Sequence, residues 1–303
     1  MWRHLSALLL IALGVGGSPI EQTIRLPGHE FLDAFARNKM FPLAAAAYSD
    51  DPQLCLTNSF QDAKMVGIVF AKCQNSNFST LCSGYVAVSP ADKAVIVSFR
   101  GTNNFLQLVT EVGNVAFFNR HRAPTNGMVA QYFYDVFEQL WYGGIEKLVN
   151  KAITSNPEFD VWLTGHSLGG AVASITATKV MVDYKLPTAR VKLITFGQPR
   201  TGDNVFSKTF PDIVPTSYRV NHKHDVVPHV PPRGYVGYNH HFTEVWYPSK
   251  MTDGAKFKIC EGEESPKCSN SVLLPVSVLD HITYYNEFVP VFGIRGCKWS
   301  KRK

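Results

Sequence analysis

The chain has 303 residues, of which 45% are hydrophobic and 18% are charged, proportions that are typical of a compact globular protein and exclude a largely disordered one. Its 30 Lys and Arg residues and 24 Asp and Glu residues give a formal net charge of +6, which is only mildly basic and does not indicate a nucleic-acid partner. No linker rich in Ser, Pro or charge divides residues 19–303, so we expect them to form a single domain.

The first 18 residues have the three-part layout of a cleaved secretory signal peptide. Arg3 and His4 precede an apolar run from Leu5 to Val15, and small residues follow it at 16–18. This run is shorter than the about 17 residues that a bilayer-spanning helix requires, and no other stretch reaches that length. The sequence therefore predicts a secreted, extracellular protein without a transmembrane segment. Asn77, in an Asn-Phe-Ser triplet, is an expected glycosylation acceptor at the surface.

The chain has 6 cysteines, and an even number in an exported protein is typical of disulfide bonds. Three of them precede residue 165 and three follow residue 170, so every complete pairing includes a bridge between the two halves of the chain. No pair of C-x-x-C motifs is present, which argues against a structural zinc site. Other pairings stay open, but we expect Cys73–Cys82 and Cys260–Cys268 as short loops and Cys55–Cys297 as a long closure.

Strands and helices alternate through the middle of the sequence. Short β-branched or aromatic runs predict strands, and apolar residues at helical spacing predict helices, one of which Gly143 and Gly144 can interrupt. The strands are predicted over 66–70, 85–88, 94–99, 159–163, 191–196 and 218–221, and the helices over 129–153 and 168–182. This alternation predicts an α/β fold with a mainly parallel sheet flanked by helices, in which functional groups lie at the carboxyl ends of the strands.

Residues 165–170 read Gly-His-Ser-Leu-Gly-Gly and lie between a predicted strand and a predicted helix. A G-x-S-x-G sequence in this position is typical of the nucleophile elbow of α/β-hydrolases, where a sharp turn strains the central Ser and exposes its hydroxyl. Gly165 and Gly169 are needed because side chains there would collide across the turn. The unpaired N–H groups of the following helix favour negative charge close to the Ser. We therefore interpret Ser167 as a nucleophile; the alternative is an ordinary Gly-rich turn.

A serine hydroxyl needs a base to take its proton and an acid to orient that base. In α/β-hydrolases both follow the nucleophile along the chain, in the order acid and then base. Asp203 and Asp225 each follow a predicted strand. Asp203 stands just ahead of a helix-like segment and is better suited to capping it. Asp225 precedes a proline-rich loop that would hold it rigidly, so we favour Asp225 as the acid.

His229, His240, His241 and His281 follow Asp225 and are the candidates for the base. His229 is only four residues from Asp225, and we expect His240 and His241 in a surface turn rich in Gly and Tyr. His281 comes from a separate segment near the C-terminus, which can reach over the edge of the sheet, and it is our choice. A lone histidine can also be a structural residue.

Metal ligation is the alternative use of the histidines near the acid. His222, His224 and Asp225 lie close together, but their spacing matches no recognised catalytic metal pattern. We therefore expect no metal and no organic cofactor.

Five motifs occur together in one order along the chain. They are Val-Ser-Phe-Arg-Gly-Thr at 97–102, Thr-Gly-His-Ser-Leu-Gly-Gly-Ala at 164–171, Thr-Phe-Gly-Gln-Pro-Arg at 195–200, Asp-Val-Val-Pro at 225–228, and Asp-His at 280–281. From about residue 40 to residue 290 the sequence resembles the class 3 lipases, of the fungal triacylglycerol lipase type. The resemblance implies a catalytic triad of Ser167, Asp225 and His281. It also implies an oxyanion hole formed by Thr102, through its hydroxyl and N–H groups, and by the N–H group of Leu168.

Members of this family usually carry a mobile lid after the position that corresponds to Thr102. Over 103–113, Phe105, Leu108, Val109 and Val112 fall on one face of a helix, opposite polar residues. Such a helix can cover an acyl groove and turn its apolar face towards a lipid surface. A packed helix that never moves accounts for the pattern equally well, and the segment lacks the aromatic-rich sequence that is expected of a strong triglyceride lipase.

The motifs together predict a secreted serine hydrolase that cleaves carboxylic esters of lipids through an acyl-enzyme, with a lipid ester substrate that can lie at a lipid–water interface. A phospholipase or a soluble short-chain carboxylesterase on the same scaffold is the second interpretation, because fold and triad do not determine the acyl donor. A non-catalytic secreted binding protein is the third. A nucleophile, an acid and a base together argue against it. The oligomeric state is left open.

Overall fold

The computed structural model describes residues 30–75, 78–102 and 117–300. The predicted signal peptide at 1–18, the glycosylation acceptor Asn77 and the predicted lid at 103–113 lie outside the described residues. Within the described ranges, no helix is both long enough and apolar enough to cross a membrane.

A mixed sheet forms the centre of the described part of the chain, and its eight strands lie side by side in their order along the sequence. β3 to β7 run parallel to one another, while β1, β2 and β8 are antiparallel to their neighbours. The strands are β1 (Lys64–Asn75), β2 (Phe78–Ser89), β3 (Ala94–Phe99), β4 (Asp160–His166), β5 (Val191–Phe196), β6 (Thr216–His222), β7 (Glu244–Tyr247) and β8 (Lys258–Cys260). The predicted α/β-hydrolase-type fold, with a mainly parallel sheet flanked by helices, is confirmed.

Helices cover both faces of this sheet. The main ones are α1 (Phe41–Ala46), α2 (Gln53–Ser59), α3 (Gln131–Leu140), α4 (Glu146–Ser155), α5 (Leu168–Tyr184), α6 (Asn204–Ile213), α7 (Val278–Ile282) and α8 (Val289–Ile294). The helix predicted over 129–153 is divided, because Gly144 adopts φ +143° between α3 and α4. Only glycine reaches this backbone conformation readily, so the interruption expected there is confirmed.

Two hydrophobic cores lie on opposite faces of the sheet. One packs α3, α4 and α5 against it, and the other packs α1 and α8. Leu168 to Thr178 of α5 are all buried, so this helix has no solvent-exposed face over its first three turns. A helix that is buried on all sides is held firmly by its neighbours, and its N-terminus is therefore a rigid place for a functional group.

Two of the expected disulfide bonds are confirmed. Cys55–Cys297 joins α2 to the end of the described chain across a sequence separation of 242, and Cys260–Cys268 closes a separation of 8. Cys82 is also disulfide-bonded, and the side chain of its expected partner Cys73 lies outside the description. The long bridge therefore links segments that are far apart in the sequence and packed together in the fold.

The surface position expected for His240 and His241 is wrong, because both residues are buried inside the fold, 4% and 2% exposed. Burial, followed by the charge of Arg219, lowers the pKa of His241 to about 3. Burial and the charges of Arg219 and Arg200 hold the pKa of His240 well below its usual value. Both rings therefore stay neutral in the folded protein at neutral pH.

Removing the two disulfide bonds one at a time is expected to reduce stability unequally. In the chain-entropy model a bridge stabilises by restricting the unfolded chain, by about 5 kcal/mol for a loop as long as that of Cys55–Cys297 and about half of this for the loop of Cys260–Cys268. Denaturation by urea of Cys55→Ala/Cys297→Ala and of Cys260→Ala/Cys268→Ala measures the two losses. Equal losses would contradict the loop-length explanation.

Acid is expected to destabilise the fold in a pH range set by the buried histidines. Their pKa values are lower in the folded state than the unfolded value of about 6.5, so the unfolded chain binds protons first as the pH falls. The free energy of unfolding should therefore be level above about pH 7 and fall below about pH 6.5, by up to about 1.4 kcal/mol per pH unit for each such histidine.

Urea titrations between about pH 7 and 5 measure this slope above the range in which carboxyl groups titrate. His241→Gln should reduce the slope by the contribution of one histidine. A free energy of unfolding that stays level over this range would contradict the prediction.

Candidate active site

Ser167 lies in the turn between β4, which ends at His166, and α5, which begins at Leu168. Its backbone has φ +61° and ψ −131°, a conformation that side chains rarely adopt. A Cβ atom added to Gly165 would lie 2.3 Å from the carbonyl carbon of Gly169, and one added to Gly169 would lie 2.2 Å from the oxygen of Phe99. The two glycines are therefore required for the turn to approach both its own helix and β3.

The expected exposure of the Ser167 hydroxyl is wrong for this structure. Ser167 is only 2% exposed, and its Oγ atom has no hydrogen-bond partner among the described residues. The loop after β3 closes over the turn, since a Cβ added to Gly101 would lie 3.1 Å from the Ser167 Cβ. The hydroxyl is thus buried without being committed to another group.

Asp225 and His281 form a buried hydrogen-bonded pair. The His281 Nδ1 atom lies 2.9 Å and 3.1 Å from the two Asp225 carboxylate oxygens, and the residues are 1% and 2% exposed respectively. Asp225 follows β6, and the Val227 N–H group donates to its Oδ1 atom at 2.9 Å. His281 lies on α7, whose preceding residue Ser277 pairs with Asp225 through a parallel β-bridge. Backbone contacts at both ends therefore hold the pair in register.

Gly197 connects this pair to the Ser167 turn. The carbonyl group of Phe196 accepts a 2.9 Å hydrogen bond from the Ser167 N–H group, and Gly197 comes next in the chain. A Cβ on Gly197 would lie 2.8 Å from Asp225 Oδ2 and 2.9 Å from His281 Nδ1. Asp225 and His281 thus lie against Gly197, and the residue before this glycine bonds to the Ser167 backbone; no hydrogen bond joins Ser167 Oγ to His281 within the described residues.

The charge on Asp225 is stabilised by several donors. Burial alone would raise the pKa of this carboxyl group, but the charge and hydrogen bond of His281 and the hydrogen bonds from Tyr284 and Val227 outweigh it and hold the pKa below its usual value. The Tyr284 hydroxyl donates to Asp225 Oδ2 at 2.6 Å. Burial and the adjacent carboxylate raise the pKa of Tyr284 well above its usual value, so it remains a donor. The sequence interpretation missed Tyr284; its position three residues after His281 was the available signal.

Of the two residues expected to bind an oxyanion, Leu168 follows Ser167 directly, and Thr102 follows Gly101, which lies against the Ser167 turn. The Thr102 hydroxyl is buried and makes no hydrogen bond of normal geometry within the described residues, although the Tyr132 phenol is near enough to interact with it. Leu168 is the first residue of α5, where backbone N–H groups lack partners within the helix. The site therefore combines an uncommitted hydroxyl with a helix N-terminus.

The other candidates have structural contacts instead. The Asp203 side chain accepts from the N–H groups of Val205 and Phe206 at 3.1 and 3.0 Å, so it caps α6 as expected. His240 Nε2 donates to the carbonyl group of Pro228 at 2.6 Å. In the described part of the chain, no group of three or more His, Cys, Asp or Glu side chains could hold a metal ion.

Comparison with known proteins relates these motifs to one family. The model of the family described as lipase (class 3) matches residues 96–235. A lipase of Caenorhabditis elegans is 33% identical over 288 residues, which cover 85% of this chain and 80% of the relative. A secreted mono- and diacylglycerol lipase of Fusarium solani is 32% identical over 208 residues, which cover 66% of this chain and 59% of that relative.

The crystal structure of a lipase from Rhizopus microsporus var. chinensis superposes with a TM-score of 0.74 at 29% identity, covering 86% of this chain and 89% of that one. The sheet order and the Ser167 turn of this chain, together with the extent of these matches, indicate the same family. The chain therefore belongs to the class 3 lipases, a family of serine ester hydrolases with the α/β-hydrolase fold.

Proposed function

We propose that this protein is a secreted lipase that cleaves carboxylic esters of lipids through a triad of Ser167, Asp225 and His281. The observation that carries the proposal is the buried Asp225–His281 hydrogen bond at 2.9 Å beside a strained, uncommitted serine. Burying a carboxylate and an imidazole costs desolvation free energy, which their mutual hydrogen bond offsets. Buried titratable pairs of this kind cluster at functional sites.

In the proposed reaction each nitrogen of His281 has its own task. Its Nδ1–H group donates to the Asp225 carboxylate, which leaves the lone pair on Nε2 to accept the Ser167 proton. Ser167 Oγ then attacks the ester carbonyl carbon, and the imidazolium returns the proton to the departing alcohol. Water repeats the sequence on the acyl-enzyme and releases the fatty acid.

The developing oxyanion would be held by Thr102 and by the Leu168 N–H group. Leu168 begins α5, whose dipole favours negative charge at its N-terminus, and Thr102 follows Gly101, which lies against the Ser167 turn. Each donor of this kind contributes about 100-fold or more to turnover. The reaction so described requires no metal and no organic cofactor.

The same proposal extends to the whole chain. Residues 1–18 act as a signal peptide and residues 19–303 form a single domain that is exported. The disulfide bonds support export because they persist in oxidising compartments, and the similarity to a secreted fungal lipase agrees with it. The substrate is an acylglycerol that can lie at a lipid–water interface.

A substrate panel tests the class of ester. Emulsified triacylglycerol and diacylglycerol should be hydrolysed faster than phospholipid vesicles, and short nitrophenyl esters should also be cleaved. Hydrolysis of the soluble short esters alone would replace the proposal with a carboxylesterase, and preference for phospholipid would replace it with a phospholipase.

Ser167→Ala is expected to abolish covalent labelling by a fluorophosphonate and to lower kcat by about 10⁴-fold to 10⁶-fold, because it removes the nucleophile. Ser174→Ala is the matched control. Ser174 lies on the same helix, is fully buried and donates to the Ala171 carbonyl group at 2.8 Å. Labelling that is equal in wild type and Ser167→Ala would exclude Ser167 as the nucleophile, and an inert wild type would support a binding protein instead.

Tyr284→Phe is expected to move the acid limb of the kcat/KM profile to higher pH by about half a unit. Without the Tyr284 donor, the Asp225 carboxylate attracts the positive charge of a protonated His281 more strongly. Tyr285→Phe is the control, because Tyr285 is also buried but packs against Phe41 and Phe196. An unshifted acid limb in Tyr284→Phe, or the same shift in both variants, would contradict this role.

A further inference from the structure

His166, the residue before Ser167, is held between two hydrogen-bond partners. The Tyr48 hydroxyl lies 2.7 Å from His166 Nδ1, and His166 Nε2 lies 2.8 Å from the backbone carbonyl oxygen of His281. A carbonyl oxygen only accepts hydrogen bonds, so Nε2 must carry the proton. Nδ1 is then the acceptor for the Tyr48 hydroxyl. The two partners therefore determine both the orientation and the tautomer of this ring.

The His166 ring also contacts His281 face to face. The two ring centroids are 4.6 Å apart with an interplanar angle of 28°, and Tyr284 packs edge-on against His166 at 5.7 Å. Tyr48, His166 and His281 are 6%, 2% and 1% exposed. His281 is therefore contacted by one residue through both its backbone and its side chain, in a place from which water is largely excluded.

His166 stays neutral beside a residue that must become charged. Burial first, and then the proximity of His281, lower the pKa of His166 to about 3. The charged group on the other side of His281 is the Asp225 carboxylate, which also accepts from Tyr284. A proton on His281 thus meets a carboxylate at Nδ1 and an uncharged ring on its face, without repulsion from a second imidazolium.

We propose that His166, oriented by Tyr48, is a positioning residue that holds the backbone and ring of His281 in the place where its imidazole can serve Ser167. The inference rests on the function proposed above. It assigns a task to the second residue of the G-x-S-x-G motif and to a tyrosine that lies 118 positions earlier in the chain.

The need for such a tether follows from the element that carries His281. α7 has only five residues, and its outer face is open, with Val278 43% and Leu279 59% exposed. Backbone and side-chain contacts at 277 and 280 hold the start of this short helix, and the His166 hydrogen bond adds a contact at the carbonyl group of residue 281. Catalytic groups must be placed to within about 0.5 Å, and a displacement of about 1 Å can cost about 100-fold in rate. The His166 Nε2–H group contacts α7 at the residue whose position matters most.

Substitutions of His166 and Tyr48 test the inference on soluble short-chain esters, with active sites counted by fluorophosphonate titration. His166→Met, which has no donor, should lower kcat by about 10-fold to 100-fold and change KM by less than about twofold. Tyr48→Phe should lower kcat by a smaller factor, because the ring remains. His166→Gln, whose amide can still donate to the His281 carbonyl oxygen, should recover much of the loss.

The pH profile separates positioning from general packing. A looser Asp225–His281 contact weakens the attraction between the carboxylate and a protonated imidazole, so the acid limb of kcat/KM should move to lower pH by about half a unit in His166→Met. His241→Met is the matched control at an equally buried histidine, which stacks on Phe210 with ring centroids 4.1 Å apart. His241→Met should reduce stability, but it should leave the acid limb of kcat/KM, expressed per active site, at the same pH.

Tyr48→Phe also allows a spectroscopic measurement, since it preserves the packing of the ring. The downfield proton NMR resonance of His281 Nδ1–H should shift in this variant. Unchanged kcat, acid limb and resonance in the His166 and Tyr48 variants of an enzyme that depends on Ser167 would overturn the inference and leave the proposed function intact. An enzyme that does not depend on Ser167 would overturn the proposed function itself.

Discussion

The hydrogen bond between Asp225 and His281 is the contact on which the rest of the site depends. Its two partners are 56 residues apart in the sequence and nearly inaccessible to solvent, so each would be a costly buried polar group without the other. The donors around Asp225 preserve its charge, and this charge determines which nitrogen of His281 carries the proton. The Asp225–His281 pair therefore determines that Nδ1 of His281 is the donor and Nε2 the acceptor.

The parallel part of the sheet explains why these groups meet. Ser167 follows β4, Gly197 follows β5 and Asp225 follows β6, and adjacent parallel strands bring their carboxyl ends to one edge. Glycine is required at 197 because any side chain would occupy the space of Asp225 and His281. The parallel strands thus bring these residues to one edge of the sheet, and the absence of a side chain at Gly197 leaves space for Asp225 and His281.

Much of this arrangement could be predicted from the sequence. The helix interruption at Gly144 and the cap at Asp203 depend on local backbone chemistry, which a sequence shows directly. The strands at 244–247 and 258–260 were missed because they are only four and three residues long, and pairing within the sheet rather than local pattern stabilises them. Tyr284 was missed because a tyrosine near the C-terminus is usually a structural residue of the core, and its hydrogen bond to the Asp225 carboxylate is visible only in the folded protein.

The class of fold, the position of the Ser167 turn and the similarity to one family could all be predicted from the residues alone, because each depends on residues that are close together or occur in a specific order. The burial of the Ser167 hydroxyl, the contact of Asp225 with His281 and the hydrogen bond from His166 to the His281 backbone are visible only in the folded protein. These contacts join segments that are far apart along the chain, and their distances depend on how the whole sheet and its helices pack.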